Sequence, residues 1–324
     1  MEVGALVVTQ GSSLQPSGGN HAWSSAWPVV GKTVLERWLD RVRALGTGPV
    51  SVVDHDVRRP NRLHTMMDWA KQGVDQILLI VLGSYAEIDL TDLLQFHHQG
   101  RYPITRVFDT QGPLGINLLD RGAVLKSGGR YGIEDARNSS RYEFSGYVTR
   151  LSSTVAYRKL VQDALDGKCA IQVSGQQAAE KVWIDPTAQV DATAKIEGPC
   201  YIGARTKLNA GVVIKDYSSV ERDSEVDIGT TLDGASILPN TYVAPGLRVR
   251  NSVIDGTRLE NLERGVIVDL GAVSLSARKR PHPLSAMFPL RDGADGEVPA
   301  SWDARTPAKT LGPSAILRRP VDDV

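Results

Sequence analysis

The sequence predicts an α/β domain followed by a hexapeptide-repeat β-helix, and three observations carry that fold class. The first is a six-residue rhythm: Ile184, Val190, Ile196, Ile202, Leu208, Ile214, Val220, Val226, Leu232 and Leu238 stand in one unbroken phase. Ile, Val and Leu make up 81 of the 324 residues, so composition alone does not produce that run. A period of six fits neither an amphipathic helix nor a simple alternating strand. It fits a chain that makes a short strand, turns a corner and repeats, three strands to a coil, with one aliphatic side chain per strand stacked inward. The second observation is that residues 1–180 alternate short apolar runs with helically spaced ones, the pattern of a mostly parallel sheet covered on both faces. The third is a break in composition after residue 277, where Pro, Gly and Asp crowd in and periodicity fades.

The bulk numbers bound the rest. A chain of 324 residues suggests about two domains. Hydrophobic residues are 41% and charged ones 23%, a globular balance. Lys plus Arg and Asp plus Glu each number 37, so no net positive field exists to hold a polyanion, and nucleic acid is not an expected partner. Cys169 and Cys200 have no metal-like spacing and read as free thiols of a reducing compartment. With no apolar stretch of spanning length and no leader-like N-terminus, the expectation is a cytoplasmic protein without a membrane span.

Taken in order, Ala5–Thr9 reads as a buried strand, and a Gly/Ser-rich loop follows through Gln10, Gly11, Ser12, Ser13 and Pro16. Val34, Leu35, Trp38, Leu39, Val42 and Leu45 are spaced for one helix face, stopped by Gly46. Val50–Asp54 reads as a strand, and Leu63–Gln72 as a helix with Met66, Met67 and Ala70 inward. Gln76–Gly83 is the most apolar strand; Asp89 or Thr91 then caps a short helix through Leu93, Leu94 and Phe96. Ile104–Phe108 is strand-like, and Ser153–Asp166 is an amphipathic helix. The hexad corners carry Gly198-Pro199, Gly203-Ala204, Asn209-Ala210-Gly211 and Asp233-Gly234-Ala235. After Leu238 the phase slips to Val243 and Val249 and loosens through Ile254, Leu259, Val266 and Val268, giving four to five coils that end near Ala277. The expected division is therefore 1–180 (α/β), 181–277 (β-helix) and 278–324, a Pro/Gly-rich extension.

Several phrases in this order resemble the sugar-1-phosphate nucleotidyltransferases, many of which carry a C-terminal left-handed β-helix. Pro28-Val29-Val30-Gly31-Lys32-Thr33-Val34-Leu35-Glu36 is similar to the family's PVxGKPxLE run. Gly83, Asp89-Leu90 and Leu93-Leu94-Gln95-Phe96-His97 resemble its metal-site strand and the DLxxLLxFH helix. Pro113–Gly115 and Phe144-Ser145-Gly146-Tyr147-Val148 resemble two later strands, the second lining a sugar pocket. Trp183-Ile184-Asp185-Pro186-Thr187-Ala188 is similar to the start of the β-helix. The resemblance implies transfer of a nucleotidyl group onto a sugar-1-phosphate, with a Gly-rich loop and an arginine on the leaving phosphates, a lysine on phosphate, and Mg²⁺ held by an aspartate after the central strand.

This chain departs from that pattern at each charged position. The loop's arginine place is Ser13, the lysine place is Ser24 and the metal place is Ser84. The segment with a second carboxylate has no counterpart. Serine is a poor Mg²⁺ ligand where a hard anion is needed. The expectation is a catalytically degenerate domain with no catalytic and no metal-binding residue. Its phosphate or nucleotide contacts would be vestigial, at Gln10, Gly11, Ser12, Ser13, Ser24 and Ser84, and its sugar contacts would be Gly115 and Gly146. Such a protein would be a regulatory, ligand-binding or scaffold subunit of nucleotide-sugar or polysaccharide metabolism. It would form a homo-oligomer through the β-helix or pair with an active nucleotidyltransferase, and a nucleotide-sugar is its expected ligand. An active enzyme with an atypical site is the alternative; only then is Mg²⁺ a cofactor, with Asp54, Asp56 or Glu87 as substitute carboxylates. Hexapeptide acyl transfer needs a histidine base, and Lys181–Lys279 contains none; the nearest is His282. His97 and His98 follow an apolar helix face and read as structural.

Overall fold

The computed structural model describes residues 2–9, 26–46, 48–54, 61–100, 102–128 and 139–269, and the main chain of Ile316–Arg318. In chain order the first part forms β1 (Val3–Thr9), β2 (Pro28–Val29), β3 (Lys32–Thr33), α1 (Val34–Ala44), β4 (Val50–Asp54), α2 (Asn61–Gln72) and β5 (Gln76–Val81). Then come β6 (Ser84–Ala86), α3 (Leu90–Gln99), β7 (Ile104–Asp109), β8 (Gly112–Asp120), α4 (Arg121–Ser127), β9 (Ser140–Glu143), β10 (Val148–Arg150) and α5 (Thr154–Leu165). Two compact units result: residues 1–27 with 33–156, and residues 28–32 with 157–324. No helix among the described residues is long and apolar enough to cross a membrane.

The first unit is a mixed α/β layer structure around one sheet, ordered β4-β1-β5-β8-β7-β9. Ala5, Leu6, Val7 and Val8 of β1 are all fully buried, as a continuous apolar run in the middle of a two-sided sheet must be. Leu6, Val8, Ile77 and Leu79 form one core with Met66, Trp69 and Ala70 of α2. The spacing places Met66 and Ala70 inward, as found, whereas Met67, also expected inward, is only partly buried against this core and Trp69 takes the place. α1 buries Val34, Trp38 and Val42. Its start is fixed by a capping box: Thr33 Oγ1 accepts the Glu36 N–H (3.0 Å), and Glu36 Oε2 accepts the Thr33 N–H (2.6 Å). The sheet is mostly parallel at β1–β4, β1–β5 and β7–β9, but β8 runs antiparallel to both of its neighbours. Its reversal follows from the turn that precedes it. Asp109 Oδ1 accepts the N–H groups of Gln111 (2.8 Å) and Gly112 (2.9 Å), and Gly112 takes a φ of 133°. A short turn can join only antiparallel strands.

The second unit is a run of short parallel strands in three stacks, consistent with a β-helix. After β11 (Gln176–Ala179), the first coil is β12 (Val182–Ile184), β13 (Gln189–Val190) and β14 (Lys195–Ile196). The second is β15 (Cys200–Ile202), β16 (Lys207–Leu208) and β17 (Val213–Lys215). The third is β18 (Ser219–Val220), β19 (Glu225–Val226) and β20 (Thr231–Asp233), and the fourth is β21 (Ser236–Ile237), β22 (Thr241–Val243) and β23 (Arg248–Arg250). Each strand pairs in parallel with its counterpart one coil on, Leu208 with Val226 and Ile214 with Leu232, for example. The stacked aliphatics are sealed in coils two to four, while in the first coil Ile184 and Ile196 are half-buried and Val190 is 38% exposed. Buried hydroxyls tie coil to coil: Thr206 Oγ1 donates to the Glu221 carbonyl (3.2 Å) and Thr230 Oγ1 to that of Ala244 (2.7 Å).

Two details differ from the sequence reading. Val220 is opposite Ile237, not Leu238, so the phase slips one corner earlier, and the fourth coil is one residue short. After β24 (Ser252–Asp255) no fifth coil forms among the described residues. The chain reverses at Gly256 (φ 59°) into β25 (Arg258–Asn261), antiparallel to β24, and again into β26 (Val266–Asp269), antiparallel to β25. The loosened aliphatics Ile254, Leu259 and Val268 are cross-strand partners of this meander. β27 (Ile316–Arg318) pairs antiparallel with β22.

The segment from Pro28 to Lys32 and helix α5 belong to the stacked-coil unit through specific bonds. Tyr157 Oη donates to the Pro28 carbonyl (2.8 Å), and the Gly31 N–H donates to Glu221 Oε2 (3.1 Å). Gly31 has a φ of 106°, and a Cβ there would lie 2.2 Å from Ser174 Oγ, so no other residue fits this approach. The Arg158 guanidinium, only 4% exposed, donates to the Tyr217 carbonyl (2.8 Å) and Ser236 Oγ (3.2 Å), and burial pulls its pKa down to about 10.

Candidate functional site

In open sheets of this kind, ligands sit outside the carboxyl ends of the parallel strands, where the order reverses. Here that place is the end of β1 and β5, since β1 is followed in the sheet by β4 on one side and β5 on the other. The Leu82 N–H donates to the Val8 carbonyl (2.9 Å) and holds the two ends together. Gln10, Gly11, Ser12, Ser13 and Ser24 lie outside the described residues, as do His55, Asp56 and His282. Ser84, Gly115 and Gly146 are described.

Ser84 opens β6 directly after the β5 strand and its Leu82-Gly83 turn. It is 5% exposed, and its hydroxyl donates to the Leu114 carbonyl (3.3 Å). Gly115 passes close beneath the end of β5 with a φ of 75°; a Cβ there would meet the Val81 carbonyl oxygen at 2.8 Å. Ser84 and Gly115 are therefore brought together, but by backbone packing. Gly146 lies elsewhere. In the β6–β10 ladder Ser84 is opposite Arg150 and Ala86 opposite Val148, so Gly146 falls beyond the far end. It is exposed, and the expected strand over 144–148 is interrupted: β9 stops at Glu143 and β10 starts at Val148. The cause is local, since the Phe144 ring stands 2.5 Å from where a Gly146 Cβ would be.

Sequence reasoning missed the charged pair beside Ser84. Arg150 donates through Nη2 to Asp109 Oδ1 (2.5 Å) and the Gly112 carbonyl (3.0 Å), and through Nη1 to the Pro113 carbonyl (3.1 Å). Burial raises the Asp109 pKa, but the Arg150 bond and the Gln111 and Gly112 N–H groups outweigh it and hold the carboxyl below its ordinary range. A second group surrounds Tyr85, whose hydroxyl donates to Glu87 Oε1 (3.2 Å) and accepts from Arg41 Nη2 (3.3 Å). Arg41 also donates to the Ala86 carbonyl (2.5 Å) and stands over the Trp38 and Tyr85 rings. Tyr85 meets Tyr147 edge-on at 6.1 Å. Nothing in a lone Val-Thr-Arg or Ser-Tyr-Ala triplet announces either group; both depend on the β6–β10 pairing.

No protein-family model matches this chain, and no curated protein matches it either.

Among the described residues, the end of β5 offers no Mg²⁺ ligand set. Its sequence position offers a buried serine whose hydroxyl is already donated to a carbonyl, and Glu87 is engaged by Tyr85. Among the described residues no group of three or more His, Cys, Asp or Glu side chains is placed to hold a metal. The histidines in the last turn of α3 make structural contacts: buried His97 bonds Thr105 Oγ1 through Nδ1 (2.7 Å) and Asp120 Oδ1 through Nε2 (3.1 Å), while His98 bonds Gln76 Oε1 (3.0 Å). Cys200 is also inert, since burial pushes its thiol up to about 12.

Proposed function

We propose that this protein is a nucleotidyltransferase-like subunit with a silent site, serving regulation, ligand binding or scaffolding in nucleotide-sugar or polysaccharide metabolism. The single observation that carries the reading is Ser84. Where the resemblance requires an exposed, metal-holding carboxylate, this chain has a buried neutral hydroxyl committed to the Leu114 carbonyl. A charge-assisted contact is worth ~1.5–3 kcal/mol, and loss of an arginine that stabilises phosphoryl transfer costs about 10³–10⁵ in rate. With Ser13, Ser24 and Ser84 at the three charged positions, little transfer chemistry remains. Arg150, opposite Ser84 in the β6–β10 ladder, is paired with Asp109 and donates to two carbonyls. A left-handed β-helix would supply flat faces for a homo-oligomer or for an active nucleotidyltransferase partner. A cytoplasmic setting fits this role.

A thermal-shift screen of the full chain with nucleoside triphosphates, nucleotide-sugars and sugar-1-phosphates, each with and without Mg²⁺, tests the reading. A ligand at one hundred times its Kd adds ~2.7 kcal/mol to the folded state, well within detection. The expected result is a Mg²⁺-independent shift with a nucleotide-sugar and none with a triphosphate. A triphosphate shift that needs Mg²⁺, followed by pyrophosphate release with a sugar-1-phosphate, would replace the silent subunit with an active transferase.

A further inference from the structure

The four coils end on unequal edges. The stack of β12, β15, β18 and β21 continues into β24 and its antiparallel meander, whereas among the described residues no fifth coil covers β22 or β23. An uncovered strand edge invites another strand unless charge or shape prevents it. β23 is guarded, because Arg248 and Arg250 flank Val249 and both are exposed. β22 is not: Thr241-Tyr242-Val243 has high β-propensity and no charge. The Val243 carbonyl accepts from the Asp227 N–H in the coil below (2.9 Å). By strand alternation the main-chain groups of Tyr242 then point outward. Leu317 is the residue opposite Tyr242, with Ile316 opposite Val243 and Arg318 opposite Thr241. Pro313 and Pro320 bracket this segment in the sequence, and since proline cannot donate to a ladder they confine pairing to the few residues between.

We propose that the edge of β22 is a strand-accepting site for an extended apolar-apolar-basic peptide, and that its occupant is this chain's own Ile316-Leu317-Arg318, bound reversibly. The contact is a three-residue ladder at the end of a solenoid, a place where local opening is easiest. Because the strand belongs to the same chain its pairing is intramolecular, so a weak strand can be held in place and yet be displaceable. The proposal rests on the coil edges alone and stands or falls independently of the nucleotidyltransferase reading.

Hydrogen exchange of the Tyr242 amide in the full-length protein reads the site directly. Leu317→Pro removes the opposing N–H and is expected to speed Tyr242 exchange by about tenfold or more, with the amides of β19 and β20 unchanged. Leu317→Val is expected to leave it slow. Adding the peptide of residues 312–320 at millimolar concentration to the Leu317→Pro protein should restore protection. Removal of residues 315–324 is a second route to the same open edge, should the proline variant fold poorly. Equal Tyr242 exchange in all variants would overturn the proposal, as would a free edge that the peptide does not protect. Protection that rises with protein concentration alongside a two-chain mass would assign the occupant to a second copy and overturn the in-chain assignment.

Discussion

At the scale of single residues, several of the described polar groups are engaged by backbone or by each other. Asp166, just past α5, illustrates this. It accepts from Lys168 Nζ (2.8 Å), Lys181 Nζ (3.0 Å) and the Tyr217 hydroxyl (3.1 Å). The two lysine bonds, and then the Tyr217 bond, outweigh partial burial and hold its carboxyl down at about 2. Its folded pKa is depressed, so its contribution is fully present above the unfolded value of 3.8 and is lost as pH falls toward about 2. Both lysines are largely exposed, so solvent screening keeps the effect modest. Asp166→Asn is expected to lower Tm by roughly 2–4 °C at neutral pH. In melts followed by circular dichroism, the variant and wild-type curves should converge between pH 4 and 2. A constant gap down to the lowest pH would mean that the carboxylate charge is not the stabilising feature.

At the scale of elements, legibility tracked how much of each element's reason for existing lies in its own sequence. The helix faces of α1 and α2, and the Asp89 cap of α3, were readable because they repeat or punctuate locally. The stacked coils were readable because each hexad repeats one inward residue. Strand β8 was legible only through the resemblance at Pro113–Gly115; its extent to Asp120 and its antiparallel run come from pairing with β5 and β7. The same holds at the site, where Ser84 was found by position in a motif, while Arg150 and Asp109 meet only through tertiary pairing. The one-residue slip at Ile237 escaped because Leu238 beside it is equally aliphatic and also fully buried. The stack makes a quantitative demand that periodicity alone does not. Ile196 and Ile214 are the same residue type at the same place in neighbouring coils, paired in one ladder. Ile214 is fully buried, but Ile196 ends the stack half-buried. Ile214→Ala should cost about 2–5 kcal/mol, since a sealed cavity cannot collapse, and Ile196→Ala well under half as much. Urea titrations of both variants decide this, and equal losses would mean that the first coil's open end is covered in solution.

At the scale of the whole molecule, the chain order and the spatial order disagree. The sequence divides at residue 180, where composition changes and the hexads begin. The compact units instead exchange chain at 27–28, 32–33 and 156–157, so the stacked coils hold a five-residue piece from early in the chain and the helix α5. Periodicity could not reveal this, because Tyr157, Arg158 and Gly31 act through single bonds to Pro28, Tyr217, Ser236 and Glu221. Their burial has an energetic consequence for any shortened chain. A fragment that starts at residue 181 leaves Ser236 and the Tyr217 carbonyl without the Arg158 of α5 that bonds them. One that starts at residue 154 keeps Arg158 in its nine-tenths buried place with both acceptors filled. Lost partners for buried polar groups cost ~1–3 kcal/mol each, in addition to the apolar area of α5 that reverts to water. The fragment 154–324 is therefore expected to melt cooperatively at a clearly higher temperature than 181–324 and to stay soluble at concentrations where the shorter one aggregates. Arg158→Met in the longer fragment separates the two contributions: it keeps the apolar packing of α5 but removes the bonds to Tyr217 and Ser236. If 181–324 melts with 154–324, the coils are complete without α5, and the bonds at Arg158 are incidental to stability. If Arg158→Met alone reproduces most of the loss, the buried guanidinium, rather than the helix's apolar face, fastens that helix to the coils.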